Sequence, residues 1–574
     1  MFENGRYKLV YALKDGTERI AESGKDSGSE VKITPEFSEG YFKLKLFTTV
    51  PITVRSVSYT IDYSYGGAHT AFFANGYQSW TDTREFKRYD KMHDLGHSGK
   101  ISLKFQKWGK CGKLIAKIAK LFGVYIDLST IGEVFTNAGD YNIARYSGKK
   151  GEFHGLSYAY LREGLNVQLF GSLNERNGYT VIYSDLNNDT ISLEKDLAGI
   201  IIDGSYDLFE MYDTQGSYDE VFDAYFAALG VHPPKADPIR GYTTWYNYYP
   251  NINEKIVFDD LEALSGKPIE VFQIDDGYQT AVGDWLSIDA KKFPNGMKVI
   301  ADKIHEKGWK AGIWLAPLAA ELKSDLYKNH PDWLIQQDGK PKSIGPNWSL
   351  FAGLNFYLPE VREYIKYFFD VVLNEWGYDL VKLDFLYAAS AVPLNGKTRA
   401  GNMYDAIEFI RECVGDKYIL GCGVPIFPCF NNVEYMRIGA DMGMSWGHYP
   451  KFTHREDVNT IHAIHNGLMR RHLNGRVFHN DPDVFLLRDY NIGHSWEQRK
   501  LLAELIKIGG GVLFMSDNVA RYNEEQKEFL EYMLTPANIK THSVNLDHDV
   551  YTIIYFYNGE KKTLTFNTLN GKII

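Results

Sequence analysis

The chain has 574 residues, 44% of them hydrophobic, which is enough to bury a large core spread over more than one domain. Its 63 basic and 73 acidic residues give a net charge of −10, which argues against nucleic acid or an anionic membrane surface as a partner. Its cysteines, Cys111, Cys413, Cys422 and Cys429, are too few for a disulfide framework, and no apolar targeting or membrane-spanning run occurs. We therefore expect a soluble, cytoplasmic protein.

Residues 1–232 have the pattern of a large antiparallel β domain. The runs 41–47 and 53–57 alternate apolar and polar residues, and Gly, Asn and Asp residues separate such runs. The chain's high aromatic content, 15%, fits the core of a β-sandwich at least as well as a sugar-stacking surface. Pro233-Pro234 and Asp237-Pro238 then mark a linker, so a large antiparallel sandwich is predicted to end there.

Short apolar runs alternate with helical segments over residues 233–533, which predicts an α/β fold with a parallel (β/α)8 barrel, the TIM barrel. Helices are indicated at 297–304 and at 361–372, whereas 425–435 is too short for a full helix and 318–355 is a long insertion. The predicted strands are 242–249, 270–278, 310–317, 380–387, 418–425, 435–443, 477–483 and 510–517.

Residues 534–574 are predicted to form a small antiparallel β domain. The β-forming runs 550–557 and 563–566 flank Asn558-Gly559, which is a strong signal for a hairpin turn. The chain is therefore divided into an N-terminal β-sandwich domain, a barrel and a C-terminal β domain.

Polar and aromatic residues stand at the C-terminal ends of the predicted barrel strands, where such barrels carry active sites. Adjacent carboxylates such as Asp275 and Asp276 are costly unless a sugar, a metal or a Lys/Arg side chain engages them, and a helix N-cap would explain only one. These strand-end residues are Trp245, Tyr246, Asp275, Asp276, Trp314, Lys382, Asp384, Cys422, Arg437, Asp441, Asp481 and Asp483.

Two basic residues are close in sequence to candidate catalytic carboxylates. Alternation puts Lys382 and Asp384 on the same inward face, which fits either a site or a plain ion pair. Arg437 and Asp441 end another predicted strand, four residues apart, and Arg437 is a candidate simply to neutralise Asp441. Carboxylates and aromatic platforms without a metal-ligand pattern suit glycoside cleavage, which uses two carboxyl groups and no cofactor.

Several short motifs occur in a fixed order along the chain. They are NGYQSW at 75–80, WY at 245–246, FQIDDGY at 272–278, GDWL at 283–286, GIWLAP at 312–317, HPDW at 330–333, KLDFL at 382–386, LGCG at 420–423 and RIGAD at 437–441. Together they resemble the α-galactosidases of glycoside hydrolase family 36. Departures such as Ala440, where proline is frequent, and Asn355, where aspartate is usual, affect fine specificity more than the chemistry.

The resemblance implies an N-terminal β-supersandwich, a catalytic barrel and a small C-terminal β domain. It also implies a retaining, exo-acting α-galactosidase that works by double displacement on galacto-oligosaccharides. It assigns Asp384 as the nucleophile and Asp441 as the acid/base, and it gives Asp275 and Asp276 the axial 4-OH and the 6-OH of galactose. Cys422 is placed near the 2-OH. The other implied substrate contacts are Lys382, Arg437, Trp314, Trp80, Trp245 and Tyr246.

Other functions remain open at this point. The chain could cleave α-N-acetylgalactosamine, transfer galactosyl groups as raffinose synthases do, or be a non-catalytic sugar-binding protein. The presence of both Asp384 and Asp441 argues against the last of these. An oligosaccharide or α-galactoside is the expected partner, no metal is expected, and the sequence leaves a homo-oligomer open.

Overall fold

The computed structural model describes residues 1–25, 28–65, 67, 70–94, 136–337, 339–446 and 454–574. Cys111 lies outside the described residues, whereas Cys413, Cys422 and Cys429 are free thiols. The helices within these ranges include none that is long and apolar enough to cross a bilayer.

The N-terminal region is built around a 12-stranded sheet. The predicted strands at 41–47 and 53–57 are parts of one long strand, in which Phe42, Leu44 and Leu46 alternate with more exposed residues. That strand pairs antiparallel with four others and organises the sheet. The strands are β1 (Arg6–Leu13), β2 (Glu18–Glu22), β3 (Val31–Ser38), β4 (Tyr41–Asp62), β5 (Ala71–Ala74), β6 (Arg84–Lys87), β7 (Glu152–Leu156), β8 (Tyr158–Glu163), β9 (Asn166–Ser172), β10 (Thr180–Asp185), β11 (Thr190–Lys195) and β12 (Ile202–Gly216).

A parallel sheet surrounded by helices follows, and its strands are β13 (Ile239–Thr243), β14 (Val271–Ile274), β15 (Lys310–Leu315), β21 (Leu380–Leu383), β22 (Tyr418–Gly421), β23 (Tyr435–Arg437), β24 (His479–Asp481), β25 (Val484–Phe485) and β26 (Val512–Met515). Five short strands outside this sheet are β16 (Ala319–Glu321), β17 (Gln336–Gln337), β18 (Lys340–Pro341), β19 (Ser343–Gly345) and β20 (Phe351–Gly353). The α-helices are α1 (Tyr218–Ala228), α2 (Trp245–Tyr248), α3 (Glu254–Ala263), α4 (Gly296–Glu306), α5 (Asp325–Asn329), α6 (Pro359–Asp370), α7 (Arg399–Val414), α8 (Thr460–Met469), α9 (Trp496–Gly509) and α10 (Glu524–Leu534).

The parallel sheet closes on itself as a barrel. Its strand order begins at β24 and ends at β25, which are two pieces of the same chain segment separated only by Pro482 and Asp483. β24 pairs with β23 and β25 pairs with β26, so the interrupted segment joins the two edges. Strand residues such as Ile274 and Val381 are fully buried, as expected for strands covered on both faces. The predicted fold class is confirmed.

The barrel strands are shorter than their predicted ranges, and the first range is partly wrong. The predicted strand 242–249 covers only the end of β13, because Trp245–Tyr248 forms the short helix α2 and Tyr249 turns the chain with a φ of 49°. The predicted helices at 297–304 and 361–372 correspond to α4 and α6. As expected, the segment after β22 has no α-helix, only a 3-10 turn at Phe427–Cys429.

The insertion after β15 forms a small sheet in the order β16-β20-β19 together with helix α5. At the C-terminus, β27 (Ile539–Asp547), β28 (Val550–Tyr557), β29 (Glu560–Asn567) and β30 (Lys572–Ile573) form a four-stranded sheet. The predicted hairpin is present, because Tyr557 pairs with Glu560 across Asn558 and Gly559, whose φ values are 50° and 88°.

Candidate active site

A cavity of about 700 Å³ lies at the C-terminal ends of the barrel strands. This volume falls within the roughly 300–1,000 Å³ typical of small-molecule sites. Tyr246, Cys422 and Arg437 do not line it and are buried in the layer behind. The predicted site residues that line it together are Trp80, Trp245, Asp275, Asp276, Trp314, Lys382, Asp384 and Asp441.

Asp384 follows directly after β21, at a sharp turn. Phe385 has a φ of 54°, a left-handed conformation that is unusual for a bulky residue and turns the chain away from the strand direction. Asp384 Oδ2 accepts a hydrogen bond from Trp314 Nε1 at 3.2 Å, and Oδ1 accepts one from Phe385 N at 2.8 Å. The turn and the two donors hold the carboxylate in one orientation at the cavity wall.

The pKa of Asp384 is raised above its ordinary value. Burial is the main cause, and the charge of Lys382 and the hydrogen bond from Trp314 oppose it. The negative charge of Asp441 raises this pKa further, which reflects the proximity of the two carboxylates. Asp384 is therefore a buried carboxylate whose charged form depends on its immediate partners.

Lys382 bonds to Asp275 rather than to Asp384. Its Nζ lies 2.9 Å from Asp275 Oδ2, which also accepts a hydrogen bond from Gln273 Nε2 at 2.8 Å. Burial disfavours the lysine charge, but the carboxylate of Asp275 outweighs it and raises the pKa of Lys382. One of the two adjacent aspartates is thus neutralised by a lysine, and the simple Lys382–Asp384 ion pair considered from the sequence is not formed.

Asp276 is held by neutral donors instead. Gln279 Nε2 donates to Oδ1 at 2.6 Å and Trp348 Nε1 donates to Oδ2 at 3.0 Å. Burial raises the pKa of Asp276, while these two hydrogen bonds oppose the rise. Gly277 is required next to it, because its φ is 122° and a Cβ there would lie 2.5 Å from the carbonyl oxygen of Pro250.

Arg437 connects three carboxylates. Its nitrogens lie 3.0 Å from Asp441 Oδ1, 3.1 Å from Asp481 Oδ2 and 2.8 Å from Asp483 Oδ1. The alternative that Arg437 neutralises Asp441 is therefore true in part, since Asp441 shares the guanidinium. The Asp441 side chain remains 40% exposed, against 3% for Asp481 and 0% for Asp483. Of these carboxylates, Asp441 is the one that a ligand and water can reach.

Tyr246 and Asp483 form the support behind Asp441. The Tyr246 hydroxyl donates to Asp483 Oδ2, which also accepts a hydrogen bond from Met442 N at 2.6 Å. Burial raises the pKa of Asp483 to about 7. Asp483 has a φ of 87° at the break between β24 and β25. The structure therefore gives Tyr246 a contact that fixes the residue after Asp441.

Trp80 reaches the cavity from the N-terminal domain. Ser79 N donates to Val424 O at 3.1 Å, and the Trp80 ring lies 5.2 Å from the ring of Phe385. Gly423, with a φ of 53°, makes this approach possible, because a Cβ there would lie 2.8 Å from Trp80 Cζ2 and 2.9 Å from Asp384 Oδ1. The NGYQSW loop thus brings its tryptophan next to Asp384.

Arg470 fixes this loop, and no sequence signal pointed to it. Its fully buried guanidinium donates to the carbonyl oxygens of Ser79 at 2.8 Å, Ile438 at 2.7 Å and Gln78 at 3.0 Å. Burial lowers the pKa of Arg470 to about 9. One side chain therefore ties the Trp80 loop to the segment that leads into Asp441.

The part of the chain that the structure describes contains no group of three or more His, Cys, Asp or Glu side chains placed to hold a metal ion. His462 and His465 both lie on α8. His465 Nδ1 lies 2.8 Å from Asp82 Oδ1.

Comparison with known proteins gives a consistent set of relatives. The family model described as Melibiase matches residues 235–406. An α-galactosidase from Escherichia coli is 32% identical over 180 residues, which are 29% of this chain and 25% of that protein. α-Galactosidase Mel36A from Lactobacillus acidophilus is 33% identical over 150 residues, 24% of this chain and 20% of that protein.

A solved structure of TtGalA, an α-galactosidase from Thermus thermophilus in complex with p-nitrophenyl α-D-galactopyranoside, has the same fold. Its TM-score is 0.68 at 24% identity, with 95% of this chain and 97% of that chain covered. The alignments with the two curated relatives cover only 25% and 20% of the lengths of those proteins. The family resemblance drawn from the motifs is confirmed over the segment that the family model matches.

Proposed function

We propose that this chain is a retaining, exo-acting α-galactosidase that hydrolyses terminal α-galactosyl residues of galacto-oligosaccharides in the cytoplasm. The observation that carries the proposal is one cavity lined by Asp384, Asp441 and the Asp275–Asp276 pair. The relatives that are named α-galactosidases support it, as does the fold shared with an enzyme solved with an aryl α-galactoside. The free thiols are in keeping with a reducing compartment.

The first chemical step assigns one role to each catalytic carboxylate. Asp384 attacks the anomeric carbon from the face opposite the leaving group and forms a β-galactosyl ester. As the glycosidic bond breaks, Asp441 donates its proton to the departing oxygen. The burial of Asp384 suits a nucleophile that is screened from water, and the exposed side chain of Asp441 suits an acid that must reach the leaving group.

In the second step Asp441 acts as a base. It takes a proton from a water molecule, whose oxygen attacks the anomeric carbon and displaces Asp384, so that galactose leaves with its α configuration retained. Arg437 stays bonded to Asp441, Asp481 and Asp483 on the barrel side, which keeps the Asp441 carboxylate at the rim during both steps.

The Asp275–Asp276 pair is the proposed source of galactose specificity. Its buried oxygens already accept fixed protein donors and have few lone pairs left for the sugar. An equatorial 4-OH, as in glucose, would miss at least one of them and leave a buried carboxylate underpaired. A mismatch of this kind rejects an analogue by about 10⁴-fold.

The space available at the 2-position of the sugar depends on residues in the layer behind the cavity. Cys422 is 1% exposed, and its backbone N–H donates to Leu383 O at 2.8 Å, which fixes it beside the strand that leads to Asp384. Because Cys422 does not line the cavity, it would limit the space for an acetamido group by fixing the wall in front of it rather than by touching the sugar. The proposed preference for galactose over N-acetylgalactosamine is steric in this indirect sense.

The test is turnover of p-nitrophenyl α-galactoside, α-glucoside and α-N-acetylgalactosaminide. We expect kcat/KM for the galactoside to exceed that for the glucoside by about 10⁴-fold. Comparable values for these two substrates would contradict the role of the Asp275–Asp276 pair. A preference for the acetamido sugar would keep the mechanism and change the substrate, and absence of turnover on all three would reject the proposed activity.

Trp80→Ala is expected to raise KM for the aryl α-galactoside by about 10-fold, because one aromatic wall of the cavity is removed. The control is Trp376→Ala, a partly buried tryptophan after α6 that does not line the cavity. Michaelis curves and melting temperatures are measured for both variants. A lowered melting temperature with unchanged KM for Trp80→Ala would mean that this side chain only packs the domains together.

A further inference from the structure

The insertion after β15 carries a tryptophan to the sugar-binding carboxylates. Trp348 lines the cavity, and its indole N–H donates to Asp276 Oδ2 at 3.0 Å. Its backbone φ is 54° and that of Leu350 is 68°, so two bulky residues in one short loop adopt the left-handed conformation. Such a conformation is strained for a bulky residue and persists only where surrounding contacts hold it.

Backbone donors supply some of those contacts, since Leu322 N donates to Leu350 O at 3.1 Å and Lys323 N donates to Ser349 Oγ at 3.2 Å, and a buried carboxylate supplies the others. Glu321 is 1% exposed, and its Oε2 accepts a hydrogen bond from Ser349 Oγ at 2.9 Å. Its Oε1 accepts one from Val282 N at 3.0 Å, and Lys323 Nζ lies 3.3 Å from the same oxygen. Ser349 is the neighbour of Trp348, and Val282 lies in the segment that continues from Asp276. Glu321 therefore contacts both the loop that carries Trp348 and the segment that follows Asp276.

The Trp348 ring also bridges to the nucleophile side of the cavity. Its centroid lies 4.8 Å from the ring of Phe385 and 6.0 Å from that of Trp314. Trp314 is the donor to Asp384 Oδ2. The indole thus lies between the carboxylate that would grip the sugar and the carboxylate that would attack it.

We propose that Trp348 is a specificity-determining residue that fixes the direction of the Asp276 carboxylate, and that Glu321 is the positioning residue that holds Trp348 in place. The inference rests on the proposed function. Each oxygen of Asp276 has one protein donor, Gln279 or Trp348, so the lone pairs left for the sugar have a fixed direction. Without the indole N–H the carboxylate can rotate, and an axial hydroxyl loses its advantage over an equatorial one.

The experiment measures the dissociation constants of D-galactose and D-glucose by calorimetry, which needs no turnover. Trp348→Phe keeps an aromatic ring and removes the N–H. We expect it to raise the dissociation constant of galactose by about 10-fold and that of glucose by much less. The reason is that only the axial 4-OH of galactose loses its hydrogen bond to the charged carboxylate of Asp276. The matched control is Trp333→Phe, a tryptophan of the same insertion that stacks on His330 away from the cavity.

Glu321→Gln tests the positioning role. The amide replaces one of the two accepting oxygens with an N–H₂ donor, so the loop loses part of its anchor and the galactose-to-glucose ratio should fall in the same direction. The double variant should be no worse than the poorer single variant, because both changes act on one bond. Melting temperatures identify any variant that has simply unfolded.

The outcomes separate the inference from the proposed function. A ratio that stays within about twofold of the parent in a folded Trp348→Phe variant would overturn the role of Trp348. Additive losses in the double variant would overturn the link from Glu321 to Trp348. If the parent protein binds galactose without hydrolysing any aryl α-galactoside, the proposed activity fails while the specificity inference is still tested by the binding ratios.

Discussion

Asp384→Gly is expected to lower kcat for an aryl α-galactoside on the order of 10⁴-fold or more, because the atom that forms the glycosyl ester is removed. Added azide should then restore turnover and give β-galactosyl azide. The small anion enters the space left by the carboxylate and attacks from the same face. The product is identified by NMR, and the rate is followed by release of the aryl group.

Two further variants make the result specific. Asp384→Asn keeps the side-chain volume, so it should still bind galactose but turn over no faster than Asp384→Gly. Asp379→Asn changes a carboxylate that precedes the same strand and bonds to His305 and Lys417 outside the cavity, and it should leave kcat nearly unchanged. An α-azide product from Asp384→Gly would place the nucleophile elsewhere.

The barrel and the inward face of its strands could be predicted from the sequence because both follow local periodicity. Buried parallel strands appear as short apolar runs, and alternation places Lys382 and Asp384 on one face. Both residues do line the cavity. The prediction of the first strand is less accurate, because the run 242–249 is rich in Tyr, Trp and Thr, which favour strands, and this composition does not distinguish β13 from the helical turn α2 that follows it.

Partners across the fold could not be predicted, because periodicity gives a face and not a neighbour. Lys382 bonds to Asp275, 107 residues away, although Asp384 is much nearer in sequence. Arg470 bonds to Ser79 over 391 residues, and Trp348 bonds to Asp276 over 72. The family resemblance implies that Tyr246 contacts the sugar, whereas its hydroxyl donates a hydrogen bond to Asp483. These contacts depend on tertiary packing that no local pattern encodes.

Asp441→Ala is expected to reduce kcat/KM for raffinose-like sugars by about 10³-fold, which lies within the contribution of general acid–base catalysis. A dinitrophenyl galactoside should lose far less in its first step, because its leaving group departs without a proton. Initial rates on the two substrates are compared for parent and variant. Azide should accelerate the second step of the variant and give α-galactosyl azide, the anomer opposite to that expected from Asp384→Gly.

The Asp441 variant is interpretable because its neighbours keep their pairing. Arg437 still contacts Asp481 and Asp483 when Asp441 is removed, so no buried charge is left alone and the melting temperature should change little. Asp483→Asn is the contrasting variant. It keeps the acid/base but disturbs the contact with Met442 N, so its losses should be similar on both substrates. Equal losses on both substrates in Asp441→Ala would instead make Asp441 a structural partner of Arg437 and refute its catalytic role.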